Sequence, residues 1–364
     1  VFAEPVARLE SMHERVADFD FELPEELIAQ SPAAVRDRSR LLVVERATGT
    51  LTDSVFADIG RWLRAGDLLV VNDTRVFPAR LVGRRQPSGG RVELFLVAEL
   101  GDGTWEALAR PAARLRAGTF VHVGEGEDQL EIEVVAELQE GRRAIRFHTD
   151  GDLWERLDRV GRTPLPPYIR RAKSDDGDEL RLDRERYQTV YAEKRGAIAA
   201  PTAGLHFTPE LLAELAAAGV ERASVTLHVG YGTFQPVRVE RVEDHRVASE
   251  RYVIPEETSL AHARARAGGG RVIAVGTTTT RALESSLDER GVLRAGAGVT
   301  ELFLRPGSAF RAVDALVTNF HLPKSSLLML VAGFAGRELV LEAYRHAVRE
   351  RYRFYSYGDA MLIV

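Results

Sequence analysis

Four stretches of this sequence gather side chains able to move protons or hold a polar ligand. Ala199-Ala200-Pro201-Thr202-Ala203-Gly204-Leu205-His206-Phe207-Thr208-Pro209 puts small residues and a histidine just ahead of a helix start. Small residues let a ligand approach the backbone, and a helix N-terminus favours anions or electron-rich groups. His228-Val229-Gly230-Tyr231-Gly232-Thr233-Phe234 ends a strand with an imidazole, a phenol and two glycines. Val275-Gly276-Thr277-Thr278-Thr279-Thr280-Arg281 runs from a strand through glycine into a helix rich in threonine, a poor helix former. Asn319-Phe320-His321-Leu322-Pro323-Lys324-Ser325-Ser326 supplies an amide, an imidazole, an ammonium and two hydroxyls. A histidine has the unperturbed pKa best suited to proton transfer near neutrality. Each stretch also has a plainer explanation: a capping threonine, a tight glycine turn, or a histidine satisfied in the core. Together, at strand ends and helix starts, they suggest one crevice along one edge of a sheet.

Other chemistries are excluded or disfavoured. The chain has no cysteine, which rules out disulfides, thiolate zinc sites, iron–sulfur clusters and a cysteine nucleophile. It lacks the Gly-x4-Gly-Lys-Ser/Thr phosphate loop, the Gly-x-Gly-x-x-Gly dinucleotide turn, the Gly-x-Ser-x-Gly elbow and the His-Glu-x-x-His zinc helix. The nine histidines are scattered, so metal catalysis is not expected.

The elements that must position these groups fall into two textures. Phe19–Leu63 mixes a helix start at Pro24-Glu25-Glu26 with a buried strand around Leu41–Val44. From Asp67 to Asp150, short strands alternate with glycine turns: Leu68–Asn72, Arg75–Gly83, Arg91–Ala98, Thr104–Arg110, Thr119–Val123, Leu130–Leu138 and Arg142–His148. That spacing predicts a small barrel or sandwich. From Thr208 onward helices and strands alternate, which predicts a mostly parallel sheet covered by helices. Thr163–Asp178, with three prolines and an acidic cluster, reads as a loop. The expected fold is therefore α/β: residues 1–66 and 151–364 form one discontinuous domain with a mostly parallel sheet, and residues 67–150 form an inserted small β-barrel domain.

The formal charge is −5, from 49 basic and 54 acidic residues, which argues at first against a nucleic-acid partner. Locally the balance reverses. Arg75, Arg80, Arg84, Arg85 and Arg91 fall within seventeen residues that contain no Asp or Glu. A solvated edge strand and a phosphate-binding stripe both fit. No apolar run exceeds ten residues, against the roughly 20 a spanning helix needs, and Glu4, Arg8 and Glu10 interrupt the first segment. A cytoplasmic location without membrane contact is expected.

With these stretches assembled, the sequence resembles the S-adenosylmethionine:tRNA ribosyltransferase-isomerase family of queuosine biosynthesis. The matching blocks run nearly end to end. They include Phe19–Pro24, Val71–Val76, Gly161–Ile169, Tyr187–Tyr191, Pro201–Phe207, His228–Phe234, Gly276–Arg281, Asn319–Ser325 and Tyr355–Met361, while Val1–Asp18 and the triple glycine at 268–270 fall outside. The resemblance implies an α/β domain with an inserted barrel, tRNA bearing 7-aminomethyl-7-deazaguanine at the wobble position as substrate, and a monomer. S-adenosylmethionine donates its ribosyl part, adenine and methionine leave, the product is epoxyqueuosine, and no metal is needed. The sulfonium acidifies the neighbouring ribose carbon; a base removes that proton, adenine departs, and the aminomethyl nitrogen attacks the resulting vinyl sulfonium. Ring closure then expels methionine. Under this resemblance His206, His228, His321 and Asp73 are the acid–base candidates. Thr202, Gly204, Tyr231, Gly232, Thr277, Thr278, Arg281, Asn319 and Lys324 are the candidate contacts to S-adenosylmethionine, with Arg281 or Lys324 on an anionic group such as its carboxylate. Arg75, Arg80, Arg84, Arg85, Arg170 and Arg171 are expected on tRNA phosphates, joined by Lys173, with Tyr168 stacking on a base. Two rival classes remain at this point: a noncatalytic RNA-binding module, and an enzyme acting on a free nucleoside.

Overall fold

Leu68–Asn72 is buried at all five positions and lies inside the large sheet. A computed structural model of the chain describes residues 14–171, 177–234 and 237–364. Along the chain come β1 (Arg40–Glu45), β2 (Thr50–Val55), β3 (Leu68–Asn72) and β4 (Thr74–Val76). Next are β5 (Arg80–Arg85), β6 (Arg91–Gly101), β7 (Thr104–Arg110), β8 (Phe120–Val123), β9 (Leu130–Glu137) and β10 (Arg142–His148). Then follow β11 (Lys194–Ala197), β12 (Glu221–Leu227), β13 (Glu250–Ile254), β14 (Val272–Val275), β15 (Gly296–Thr300), β16 (Ala315–Asn319) and β17 (Ala360–Ile363). The helices are α1 (Leu153–Val160), α2 (Gly177–Arg186), α3 (Pro209–Ala217), α4 (Glu256–Ala267), α5 (Thr277–Ser286), α6 (Ser326–Ala335) and α7 (Arg337–Arg349).

Nine strands form one sheet in the order β15-β13-β12-β3-β14-β16-β17-β1-β2. Its centre, β12-β3-β14-β16, is parallel, as alternating strands and helices require. The flanking pairings of β13, β15 and β2 are antiparallel, and β17 runs antiparallel to β16 but parallel to β1, so the sheet as a whole is mixed. Side chains alternate between its faces. Leu42, Val44, Leu68, Val70, Val272 and Leu316 pack with α4, α5, α6 and α7 on one side. Leu41, Val43, Leu69, Val71, Ile273 and Val317 pack with Phe56, Ile59 and α3 on the other. Period-two burial on both faces explains the nearly continuous apolar runs in the central strands.

Six strands close a barrel in the order β10-β7-β6-β5-β8-β9, every pairing antiparallel. Leu81, Leu94, Leu96, Val121, Ile132, Val134 and Ile145 fill it. Closure brings β8 so close to β5 that a Cβ on Gly83 would sit 2.3 Å from the His122 carbonyl oxygen. Leu68–Asn72, grouped with the barrel strands by texture, belongs instead to the large sheet. Thr163–Asp178 is irregular up to residue 171, and α2 begins at Gly177. No helix among the described residues is long and apolar enough to cross a membrane.

The turn into β3 is pinned by Asp67, which has no exposed surface. Its carboxylate accepts from the Arg271 main chain at 3.0 Å, from the Arg271 guanidinium at 2.6 Å and from the Arg64 amide at 3.0 Å. Burial pushes its pKa up, but the Arg271 and Arg64 bonds outweigh burial and hold it below 3.8. A depressed carboxylate pKa adds stability above the unfolded value and loses it as pH falls through the folded one. Asp67→Asn leaves the Arg271 cation without its counter-charge and should cost about 3–5 kcal/mol in urea unfolding near neutrality. The variant should also lose less stability than the wild type as pH drops below about 4.

Candidate active site

The strand β3 ends in an amide whose every polar group is used. Asn72 Nδ2 donates to the Leu227 carbonyl at 3.0 Å and to Thr278 Oγ1 at 3.3 Å. Its Oδ1 accepts from the main-chain N–H groups of Leu227 and Thr74, at 3.0 and 3.1 Å. One side chain thus joins the carboxyl ends of β3 and β12 to the first turn of α5 and sets the exit of the chain into β4.

That exit presents Asp73 and Thr74. Asp73 is buried, accepts from Thr226 Oγ1 at 2.6 Å, and takes the Glu193 and Lys194 amides on its carbonyl at 2.7 and 3.1 Å. Burial raises its carboxyl pKa, and Glu193 adds to the rise; the Thr226 bond, Lys194 and His228 oppose it. Thr74 Oγ1 lies 2.8 Å from His228 Nδ1 and 3.4 Å from the Lys194 carbonyl. When the hydroxyl proton goes to that carbonyl, Nδ1–H donates to Thr74, and Nε2 carries the lone pair of a general base. Burial holds the His228 pKa below 6.5, and Asp73 pulls it back up. The ring occupies space that only a glycine leaves: a Cβ on Gly196 would lie 2.6 Å from His228 Cε1.

His206 is fixed differently. It ends the short 3₁₀ turn Thr202–His206 and is almost wholly buried, its ring stacked 5.0 Å from that of Phe56. Its Nδ1 lies 2.7 Å from Ser39 Oγ. Its Nε2 and the Oδ1 of Asn319 are both buried without a hydrogen-bond partner, while Asn319 Nδ2 donates to the Tyr355 carbonyl at 2.9 Å. Burial lowers the His206 pKa to about 4. His321 Nε2 is taken by Thr318 Oγ1 at 2.7 Å, and burial lowers its pKa to about 3.

The other expected contacts are distributed around these groups. Thr277 and Thr278 are buried at the start of α5, where Thr278 receives the Asn72 amide. Thr279 and Thr280 bond back to the carbonyls of Val275 and Gly276. Arg281 is buried against Glu250 and donates through Nε to the Leu302 carbonyl at 3.0 Å; Glu250 in turn accepts the Gly230 amide at 3.3 Å. Lys324 is half-exposed and paired with Asp20 at 2.6 Å. Gly204 makes room for Tyr191, whose hydroxyl would be 2.1 Å from a Cβ there, and Thr202 is half-buried beside it. Tyr231 packs edge-on to Phe95 of the barrel at 5.6 Å, and a Cβ on Gly232 would lie 2.8 Å from Ala248 Cβ. Asn72, Thr74, Gly196, Thr226 and Glu250 were not singled out by sequence. The first two stand inside a motif that was; the others are partners supplied from distant segments.

The arginines expected on RNA do not form one stripe. Arg75 is exposed and lines a 420 Å³ surface cleft with Arg159 and Arg184. Arg80 is paired with Glu93 at 2.7 Å. Arg85 is held by Ser88 Oγ and the Arg114 carbonyl. Arg84 and Arg91 are both exposed and sit directly opposite each other across β5 and β6. Arg170 pairs with Glu25 at the surface, whereas Arg171 is largely buried in a two-pronged bond to Asp183, both prongs 2.7 Å. Tyr168 stacks on Tyr355 at 4.7 Å with its hydroxyl 2.7 Å from Ser356 Oγ. Lys173 lies outside the described residues.

A family model described as queuosine biosynthesis protein matches residues 16–363. The chain is 55% identical over 352 residues to the S-adenosylmethionine:tRNA ribosyltransferase-isomerase of Syntrophotalea carbinolica, covering 96% of this chain and 100% of that protein. It is 51% identical over 350 residues to the protein of the same name from Heliobacterium modesticaldum, with 96% and 99% covered. A crystal structure of an S-adenosylmethionine tRNA ribosyltransferase from Thermotoga maritima is similar with a TM-score of 0.53 and 39% identity, over 95% of this chain and 100% of that one.

Packing between Gly196 and His228 is directly testable. Gly196→Ala must push the imidazole out of its recess, so the His228 pKa measured by NMR titration should climb toward 6.5. Overpacking should cost about 1–3 kcal/mol of stability. A titration curve identical to the wild type would remove this contact from the account.

Proposed function

The chain belongs to the queuosine biosynthesis protein family, and from that premise we propose that it is the enzyme that transfers and isomerises the ribosyl moiety of S-adenosylmethionine onto tRNA. The acceptor is 7-aminomethyl-7-deazaguanine at the wobble position, and the products are epoxyqueuosine-tRNA, adenine and methionine. The observation that carries the reading is the bond of His228 Nδ1 to Thr74, next in the chain to Asp73, whose buried carboxylate is held by Thr226, where β3, β12 and the crossing to the barrel meet.

His228 is the general base. Thr74 fixes its Nδ1, and its Nε2 is left to take the proton from the ribose carbon beside the sulfonium. The electron pair of that C–H bond opens the ribose and expels adenine, leaving a vinyl sulfonium. Asp73, whose carboxyl is raised by burial, holds the proton that departing adenine requires. The neutral aminomethyl nitrogen adds to the vinyl sulfonium, and closure of the epoxide expels methionine as a neutral sulfide. His206 and His321 have an imidazole nitrogen committed to Ser39 and Thr318, and their stronger burial suits them to positioning rather than to proton transfer.

The donor lies along Thr202–Gly204, Tyr231–Gly232 and the start of α5. Of the arginines in the stretch 75–91, Arg75, Arg84 and Arg91 are exposed and carry no ion pair among the described residues, so they are the proposed phosphate contacts. Charge repulsion between directly opposed Arg84 and Arg91 is relieved when an anion lies between them. The proposed division sets residues 1–66 and 151–364 against 67–150, with Leu68–Asn72 given back to the large sheet. A cytoplasmic monomer completes the reading.

The decisive assay mixes the chain with S-adenosylmethionine and the modified tRNA and follows free adenine. Release should depend strictly on the 7-aminomethyl base. His228→Gln should slow it by about 10²–10⁴-fold, with His321→Gln far milder. Because burial lowers the His228 pKa, the rising limb of kcat/KM should have a midpoint below 6.5, and loss of the Asp73 proton should bring the rate down again at higher pH; a rising limb with its midpoint at or above 6.5 excludes His228 as the base. Arg84→Glu combined with Arg91→Glu should weaken all tRNAs alike and lower the slope of log K against log salt by roughly 1 per lost phosphate contact.

A further inference from the structure

Both cations that the sequence offered for a carboxylate already have one: Lys324 holds Asp20, and Arg281 holds Glu250. Two other arginines do not. Arg36 donates to the carbonyls of Leu205 and Glu185, each at 3.1 Å. Arg186 donates to the carbonyls of Ala33 and Ala34 at 2.6 and 3.2 Å. All four acceptors are neutral main-chain oxygens, and neither guanidinium makes an ion pair among the described residues. The two charges are close enough that Arg186, after burial itself, lowers the pKa of Arg36, with the Glu185 carboxylate the acid that opposes it.

These arginines line a narrow cleft together with Ser39, His206, Ser356 and Tyr357. Its volume is about 20 Å³, room for one water-sized group and not for a ring. Of the side chains that line it, His206 alone has a buried polar atom, Nε2, without a hydrogen bond among the described residues. Buried polar atoms without partners are uncommon in native proteins and mark places where a ligand or ordered water belongs.

We propose that Arg36 and Arg186 form a carboxylate subsite that takes one carboxylate oxygen from the amino-acid end of the sulfonium donor, with Ser39 and His206 completing its wall. The assignment rests on the reading that S-adenosylmethionine is the donor. The 3₁₀ turn Thr202–His206 connects this cleft to the crevice. At about 2 Å per residue its five residues span roughly 8–10 Å, and its near end packs toward Gly276, where a Cβ would lie 3.7 Å from Ala203 Cβ. The small-residue turn therefore runs between the cleft and the start of α5, and the donor's methionyl chain follows it.

Calorimetric titration of the full chain with S-adenosylmethionine tests the subsite without relying on turnover. Arg186→Gln should weaken donor binding by about tenfold or more, the loss expected for a hydrogen bond to a charged group, and leave tRNA affinity unchanged. Arg36→Lys keeps the charge but loses the two-pronged grip on the Leu205 and Glu185 carbonyls, and should weaken the donor less. Decarboxylated S-adenosylmethionine should bind the wild type more weakly and lose nothing further in Arg186→Gln. Circular dichroism confirms that each variant is folded. Unchanged donor affinity in folded Arg186→Gln overturns the proposal. A loss confined to tRNA also overturns it and reassigns the pair to a phosphate. Failure of the parent reading looks different: the wild type then binds no donor, or releases no adenine.

Discussion

A single buried amide holds the functional half of this molecule in register. Asn72 spends two N–H donors and both lone pairs of its oxygen on four partners in three segments, all inside the protein. Such a network is worth most when complete, because each unmade bond in a low-dielectric interior costs nearly its full desolvation energy. The direction of Asp73, the hydroxyl of Thr74 and the start of α5 all follow from it. So does the path by which the chain leaves the sheet for the barrel.

Much of the fold was legible because it rests on periodicity. Alternating strands and helices gave a parallel sheet centre, and short strands between glycine turns gave the barrel. What escaped were elements with weak local signals. β2, Thr-Leu-Thr-Asp-Ser-Val, is polar and lies at the sheet edge. Only two of the ten residues of α2 are apolar, both leucines. β17 is four residues at the chain's end, inserted between β1 and β16, and its place is decided by pairing alone. Leu68–Asn72 looked like its neighbours in the barrel, yet burial on both faces assigns it to the sheet.

The site was legible as motifs and illegible as geometry. Strand ends and helix starts were expected to converge, since parallel strands deliver their carboxyl ends to one edge. No local pattern could rank His206 against His228, because the ranking depends on Ser39, Thr74 and Gly196, each far away in the chain. Nor could sequence tell which arginines were spent. Arg171 and Arg281 look like any basic residue in a motif, but each is neutralised in the fold, by Asp183 and Glu250. Arg36 and Arg186 attracted no notice and hold only neutral carbonyls. The net charge of −5 hides this division between cations already engaged and cations still available.

The chain leaves the sheet for the barrel through β4, and β11 runs parallel to it, hydrogen-bonded along its side. A single thread would let the barrel swivel; a paired ribbon resists torsion and behaves as a stiff lever. The same ribbon carries Thr74, which grips the His228 ring, and Gly196, against which that ring rests. Any twist of the barrel must shear the pairing of Thr74 with Lys194 and so displace the imidazole. Mechanically, the orientation of the barrel and the aim of His228 are one coordinate, and a load applied to the outer surface of the barrel is felt at a single nitrogen atom.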